Sequence, residues 1–377
     1  MSTPWIETKK YPDQSNLARS GSEYTWQAMF ACQVKILPHQ EWVKMRWGFN
    51  ASALFDEALE RQKLFLTSQH EAKGGLSIEN LDHRTLAFRY ITRPSDGLLV
   101  TVLAKILGRT QVEADHKALA YYREIKSTFP YDYSLVPAAS KDDFIYFTGE
   151  DILEDVNTLH LAQIRRLEVP IHPSNKSPIL QGLWQSGPRA HEQIWRFLAA
   201  SPHPVLLNSS IRCSVLYERD RELMLGSADR IENFTDGSMN QVTLSALKSW
   251  NEKYIERRLA PWKKFFYLQV HLASTQEIDE NAYRILGTSL SLSPSGHSSP
   301  DYQVILARKH EVTSWQEKLK NLDFVNSGSY LSAPRLTEIA DMEEVFAVMR
   351  LPYLPPENGF PDMKFADTRD SKKNNEV

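Results

Sequence analysis

Cysteine is nearly absent from this chain: Cys32 and Cys213 are the only two in 377 residues. Neither belongs to a CxxC pair, which argues against a zinc site or a disulfide framework and fits a reducing cytoplasm. Glycine is scarce at 15, while proline reaches 20, so proline turns and caps carry much of the punctuation. No run approaches eighteen apolar residues, so no membrane-spanning helix is expected. The opening Met1-Ser2-Thr3-Pro4-Trp5 lacks a basic segment followed by an apolar one, so no signal peptide is expected. No charge of one sign dominates. A formal net charge of −3 argues against an overall electrostatic footprint for nucleic acid and leaves only a local patch.

The familiar catalytic signatures are missing too. There is no GxxxxGK[ST] to cradle phosphate, and no GxGxxG, HExxH or GxSxG. The histidines show no HxH or HxxxH spacing that sets two ligands on one face. Asp142-Asp143 and Glu150-Asp151 are adjacent carboxylates, and neighbours on a strand point to opposite faces; they read as solvated turns. Cys213 lies in an apolar strand pattern and reads as buried and inert. No catalytic residue, cofactor or metal is expected.

What remains is ordinary globular material, 42% hydrophobic and 24% charged. Residues 1–22 read as a flexible arm. Residues 24–43 fit either a strand pair or a helix followed by a strand. Residues 53–66 have helical spacing, and 68–83 read as a linker. Residues 85–90 and 98–106 read as a hairpin about Pro94-Ser95-Asp96-Gly97. A helix follows, opened by a capping box from Thr110 to Glu113 and stopped by Pro130. Val112, Leu119, Tyr122, Ile125 and Phe129 form its apolar face. A strand is expected at 131–136, then an aromatic strand over Phe144–Phe147 and another strand over 163–171. A Pro/Ser/Gly loop at 173–188 precedes a helix over 189–200. Later strands fall at 205–217, 264–273 and 302–307. Later helices fall at 219–234, 241–259, 278–290 and 312–322. A last helix face comprises Ile339, Met342, Phe346 and Met349.

This order implies an α+β fold, with antiparallel sheets carrying helices on one face and two similar modules. The expected divisions are an arm at 1–22, a module at 23–170, a connection at 171–204, a second module at 205–357 and a disordered tail at 358–377. Lys248, Lys253, Arg257, Arg258, Lys263 and Lys264 form a basic set interleaved with Trp250 and Trp262. Cations beside aromatics suit a nucleic-acid contact. The same spacing also suits a solvated helix face, with Glu252 and Glu256 neutralising Lys248 and Lys253.

The stretch Glu343-Glu344-Val345-Phe346-Ala347-Val348-Met349-Arg350-Leu351-Pro352-Tyr353-Leu354-Pro355-Pro356 says most. It is an amphipathic helix running into an extended exit, since a residue before proline is pushed out of α. It resembles the element just before the ATP-binding core in HerA/FtsK-superfamily ATPases, the HerA-like and conjugation-type secretion motors. There an acidic helix ends in Arg-Leu-Pro or His-Leu-Pro before the Walker A strand. The hairpin, long helix and Phe129-Pro130 of 85–147 are similar to that family's N-terminal region. The resemblance spans about 80–355, and only its last fifteen or so residues are specific. The family's nucleotide-binding residues have no positions here, and about twenty mostly polar residues follow. It therefore implies a stand-alone, cytoplasmic assembly or regulatory subunit. Such a subunit docks a separately encoded ATPase in a translocation or phage-defence machine. The docking residues would be Phe346, Met349, Arg350, Leu351, Pro352 and Tyr353, in a chain able to form homo-oligomers. The alternative is a nucleic-acid-binding accessory protein using the 248–264 helix.

Overall fold

The computed structural model describes residues 3–11, 24–36, 51–70, 83–170, 179–234, 241–260, 263–291, 302–328, 334–353, 365 and 366. In chain order the strands are Glu7–Lys10 (β1), Trp26–Ile36 (β2), Thr85–Arg93 (β3), Gly97–Gly108 (β4), Tyr133–Pro137 (β5), His160–Arg166 (β6), Glu168–Pro170 (β7), Ile179–Gln181 (β8), Val205–Ser214 (β9), Phe265–Ser274 (β10), Tyr302–Leu306 (β11) and Ile339–Asp341 (β12). The helices are Ala51–Ser68 (α1), Gln111–Thr128 (α2), Lys141–Thr148 (α3), Ala190–Ala199 (α4), Glu218–Glu232 (α5), Gln241–Leu259 (α6), Glu280–Ser291 (α7), Val312–Lys320 (α8), Pro334–Glu338 (α9) and Met342–Val348 (α10).

Local chemistry builds the first hairpin. Asp96 N–H donates to the Arg93 carbonyl at 2.9 Å, and Gly97 takes the left-handed position at φ 92° that a three-residue hairpin loop needs. The chain then enters α2 through the expected cap. Thr110 accepts from Glu113 N–H, while Glu113 takes the Arg109 N–H at 2.9 Å. Ala114, Ala118, Tyr121, Tyr122 and Ile125 form its buried stripe. Val112, expected on that face, is exposed.

One antiparallel sheet runs β1-β2-β4-β3-β9-β10-β6-β11, with β5 also along β2 and β12 also along β10. The fold is α+β, as its pattern implied. The two expected modules share this sheet. β3 and β9 join them, from Thr85 opposite Arg212 to Thr92 opposite Val205. β6, placed by sequence in the first module, lies between β10 and β11 of the second.

Helices cover both faces of the sheet rather than one. Phe30, Phe88, Val102, Leu207 and Leu268 face one layer, with contributions from α1, α2, α4, α7 and α10. Met29, Ala87, Leu103 and Leu206 face the other, under Phe144 and Phe147 of α3 and Trp315 and Leu319 of α8. This second cover explains why β4 is buried at every position, as strands packed on both faces are.

Three further expectations change. Residues 144–147 are helical, not a strand. Ser140 accepts from Asp143 N–H, Asp143 accepts from Ser140 N–H, and Gly149 closes the helix at φ 69°. These end signals outweigh a four-residue apolar run, which has no period of its own. Ile339 belongs to β12, pairing with Tyr267, so the last helix starts three residues later than its supposed face. Within the expected disordered tail, Ala366 N–H donates to the Leu98 carbonyl at 3.0 Å and Gln33 Nε2 donates to the Ala366 carbonyl at 3.1 Å. Within the expected flexible arm, Glu7–Lys10 pairs with β2, and the expected loop at 173–188 includes β8; the rest of the tail, most of the arm and most of 68–83 and 291–300 lie outside the described residues. Among the described residues, no helix is long and apolar enough to cross a membrane.

Candidate docking segment and basic helix

The segment after β12 is organised by two carboxylates. Asp341 is the N-cap of α10 and accepts from Glu344 N–H at 3.0 Å; Glu344 returns the bond, accepting from Asp341 N–H at 3.1 Å. Both carboxylates also meet cations from distant elements. Arg257 grips Asp341 bidentately at 2.6 and 2.8 Å, and Lys263 stands 3.7 Å away. Arg166 donates to Glu344 at 2.8 Å, and Arg258 Nη1 lies 2.5 Å from its other oxygen. Trp184 N–H adds a further bond to Glu344. Burial by itself would raise Asp341, and the Arg257 fork overrides it, so its carboxyl sits below the usual range. Burial holds Glu344 above its ordinary value against the pull of Arg166.

The exit beyond α10 is held as firmly. Arg350 donates to the Gly187 and Pro188 carbonyls at 2.7 and 2.9 Å, and burial brings its guanidinium down to about 10. Its own carbonyl accepts from the Tyr90 hydroxyl. Leu351 N–H donates to Gln62 of α1 at 2.9 Å, and the Tyr353 hydroxyl donates to Glu192 of α4. Met349, Arg350, Leu351, Pro352 and Tyr353 are all buried, and Phe346 is half-buried. The six candidate docking residues thus sit within the protein's own packing: they hold the exit in place and, Phe346 aside, offer a partner little side-chain surface. His191 lies beneath it, 3.1 Å from the Val348 carbonyl; burial, and then Arg350, bring its imidazole down to about 3.

The basic set does not form one exposed row. Arg258 is 1% exposed and Arg257 is committed to Asp341. Lys248 donates to the Glu232 carbonyl, and Lys264 donates to the Thr67 carbonyl at 3.3 Å. Lys253 is exposed, Trp250 donates to the Gln181 carbonyl, and Trp262 lies outside the described residues. The cationic end of α6 turns inward because Arg258 shares a helix face with buried Tyr254, one turn before it. This removes the main support for nucleic-acid binding by this helix.

The sequence reading missed a polar row across the second face of the sheet. Gln33, Thr101, Arg89, Asn208, His271 and Gln163 stand opposite one another on six consecutive strands, and all are buried. Arg89 donates to Asn208 at 2.8 Å, to the Thr148 carbonyl at 2.6 Å and to the Leu319 carbonyl. It thereby caps the carboxyl ends of α3 and α8, where a cation is favoured. Burial brings it down to about 10. His271 lies edge-on to Trp315, and neither ring nitrogen has a hydrogen-bond partner among the described residues. Burial, and then Arg89, bring it down to about 3. Gln163 and Gln269 both donate to Glu338, which burial pushes up to about 7. The signal in sequence was the interruption of apolar strands at alternate positions: Asn208, Ser210 and Arg212 in β9, and Gln269 and His271 in β10.

Nothing in these groups converges as a reacting centre. No three metal-binding side chains gather among the described residues. Asp143 is spent on its helix cap, and Asp151 pairs with Arg93 at 2.6 Å. The Cys32 thiol is buried and pushed up to about 12 by that burial, and Cys213 donates to the Gln69 carbonyl. The chain matches no protein-family profile, and a search of curated proteins finds none significantly similar to it.

Proposed function

We propose that this chain is a non-catalytic assembly or regulatory subunit that docks a HerA/FtsK-type ATPase acting in trans, in a cytoplasmic translocation or defence machine. The supporting observation is the seating of 341–353. In the ATPases that this segment resembles, the corresponding element delivers the chain to the motor. Here it is fixed at several independent points: to β10 through β12, to α6 through Arg257 and Arg258, to α1 through Gln62 and to α4 through Glu192. A fixed exit gives a motor a defined place and orientation.

Affinity purification of the tagged full chain from its native cells, under gentle salt, tests this directly. A P-loop ATPase is expected in the complex, and Arg350→Ala, which frees the exit from the 187–188 carbonyls, should weaken its recovery. Recovery of no ATPase with the intact chain overturns the reading.

A further inference from the structure

We infer that the α5–α6 pair and the exit segment 341–353 form one cooperative unit, so that loosening the helix pair unseats the exit. Three observations carry this. First, α5 and α6 pack on a small cluster of Leu183, Met224, Tyr254 and Leu336, separate from the two large cores. Second, their polar links run to the segment that leads into the exit. Asp220 of α5 accepts from Arg335 at 2.8 Å, and the last turn of α6 supplies Arg257 to Asp341 and Arg258 to Glu344. Third, the two carboxylates serve twice, as partners of α6 and as the reciprocal cap of α10.

Neither side tolerates separation. Asp341 and Glu344 have no exposed surface, so withdrawing α6 takes one of Glu344's two cations and strips Asp341 of its bidentate partner. Arg258 is just as dependent: it is 1% exposed, Nη1 meets Glu344 as an ion pair, and none of its three nitrogens has a hydrogen-bond partner among the described residues. A buried charge that loses its partner is strongly destabilising, so α6 and the first turn of α10 seat together or loosen together. From α10 the effect passes through Val345, Val348 and Met349, which lie in the large core, to Arg350 and the extended exit. The coupling rests on this geometry alone. Its bearing on a motor rests on the proposed docking role, which purification tests separately.

Hydrogen exchange on the full chain reads the coupling. Met224→Ala loosens the helix pair without touching any of the ion pairs. Amides of α6 and of 342–351 should then exchange about tenfold faster or more, because they share one opening, while amides of β3 and β4 keep their wild-type rates. Faster exchange in α6 with 342–351 unchanged overturns the inference, and so does a uniform rise that includes β3 and β4. Should Met224→Ala fail to fold, Trp250→Phe removes the bond to the Gln181 carbonyl and part of the indole's packing on the same cluster, again without touching an ion pair, and gives the same reading.

Discussion

His271 makes the clearest demand on experiment. Its imidazole is 1% exposed, packed against Trp315 and within the field of Arg89, and sits at about 3 instead of 6.5. A base depressed in this way binds fewer protons folded than unfolded. Its contribution to stability is intact above the unfolded value and is lost as pH falls from about 6.5 towards about 3. Between pH 7 and pH 5 the unfolded state gains about three-quarters of a proton at this site, and the unfolding free energy falls by about 2 kcal/mol. His191, also brought to about 3, contributes a similar loss. Glu338 acts in the opposite sense. Its carboxyl, raised from 4.5 to about 7, binds its proton earlier in the folded state and returns about 2 kcal/mol over the same interval. The wild-type pH profile therefore mixes signs, and the informative quantity is a difference. His271→Leu keeps comparable volume and removes the titration. Urea unfolding at pH 7 and pH 5, followed by tryptophan fluorescence and by circular dichroism, gives that difference. The variant should gain about 2 kcal/mol relative to wild type between the two values, a relative shift in urea midpoint of roughly 0.5–1 M. A difference that does not change between pH 7 and pH 5 would mean that His271 is not held neutral, and the burial argument fails.

Other consequences are as direct. Arg89→Met leaves the Thr148 and Leu319 carbonyls and the Asn208 amide oxygen without their donor, and should cost about 2–4 kcal/mol in urea unfolding; a cost below 1 kcal/mol would refute the double-cap role. Ser140→Ala should cost about 1 kcal/mol, because α3 loses its cap. A cost there is the mark of a helix at 141–148, and no effect would speak for a strand. Reversing Arg257 and Arg258 to Glu should destabilise the fold itself, lowering the thermal midpoint by several degrees. A variant that kept its melting temperature and lost salt-dependent DNA binding would instead restore the nucleic-acid reading.

The elements that could be read from sequence are those whose signals are local. Pro94 to Gly97, Thr110 with Glu113, and Pro130 each act over four residues or fewer, and they fix the hairpin and α2. The strand over 264–273 was legible from its β-rich composition. The 144–147 segment was misassigned because four apolar residues fit helix and strand alike. Its caps at Ser140 and Gly149 lie just outside the run. The charge network escaped for a different reason. Arg257 and Asp341 are 84 positions apart, and Arg166 and Glu344 are 178 apart. In a linear reading each cation looks solvated, and only the sheet order brings it to its carboxylate. The exit segment stands out in the sequence by its prolines, but its proline-fixed shape says nothing of the Gln62, Tyr90 and Glu192 contacts that bury it.

Arg89 also bears on the order in which the molecule assembles. It lies on β3, its partner Asn208 on β9, and the two helix ends that it holds belong to residues near 148 and 319. Both helices are short, and helices of that length are marginal before they dock. Their shared cap cannot form until β3 and β9 have found register, a pairing of high sequence separation and so a slow step. The second layer should therefore consolidate after the central seam, which makes this face the late-folding side of the protein.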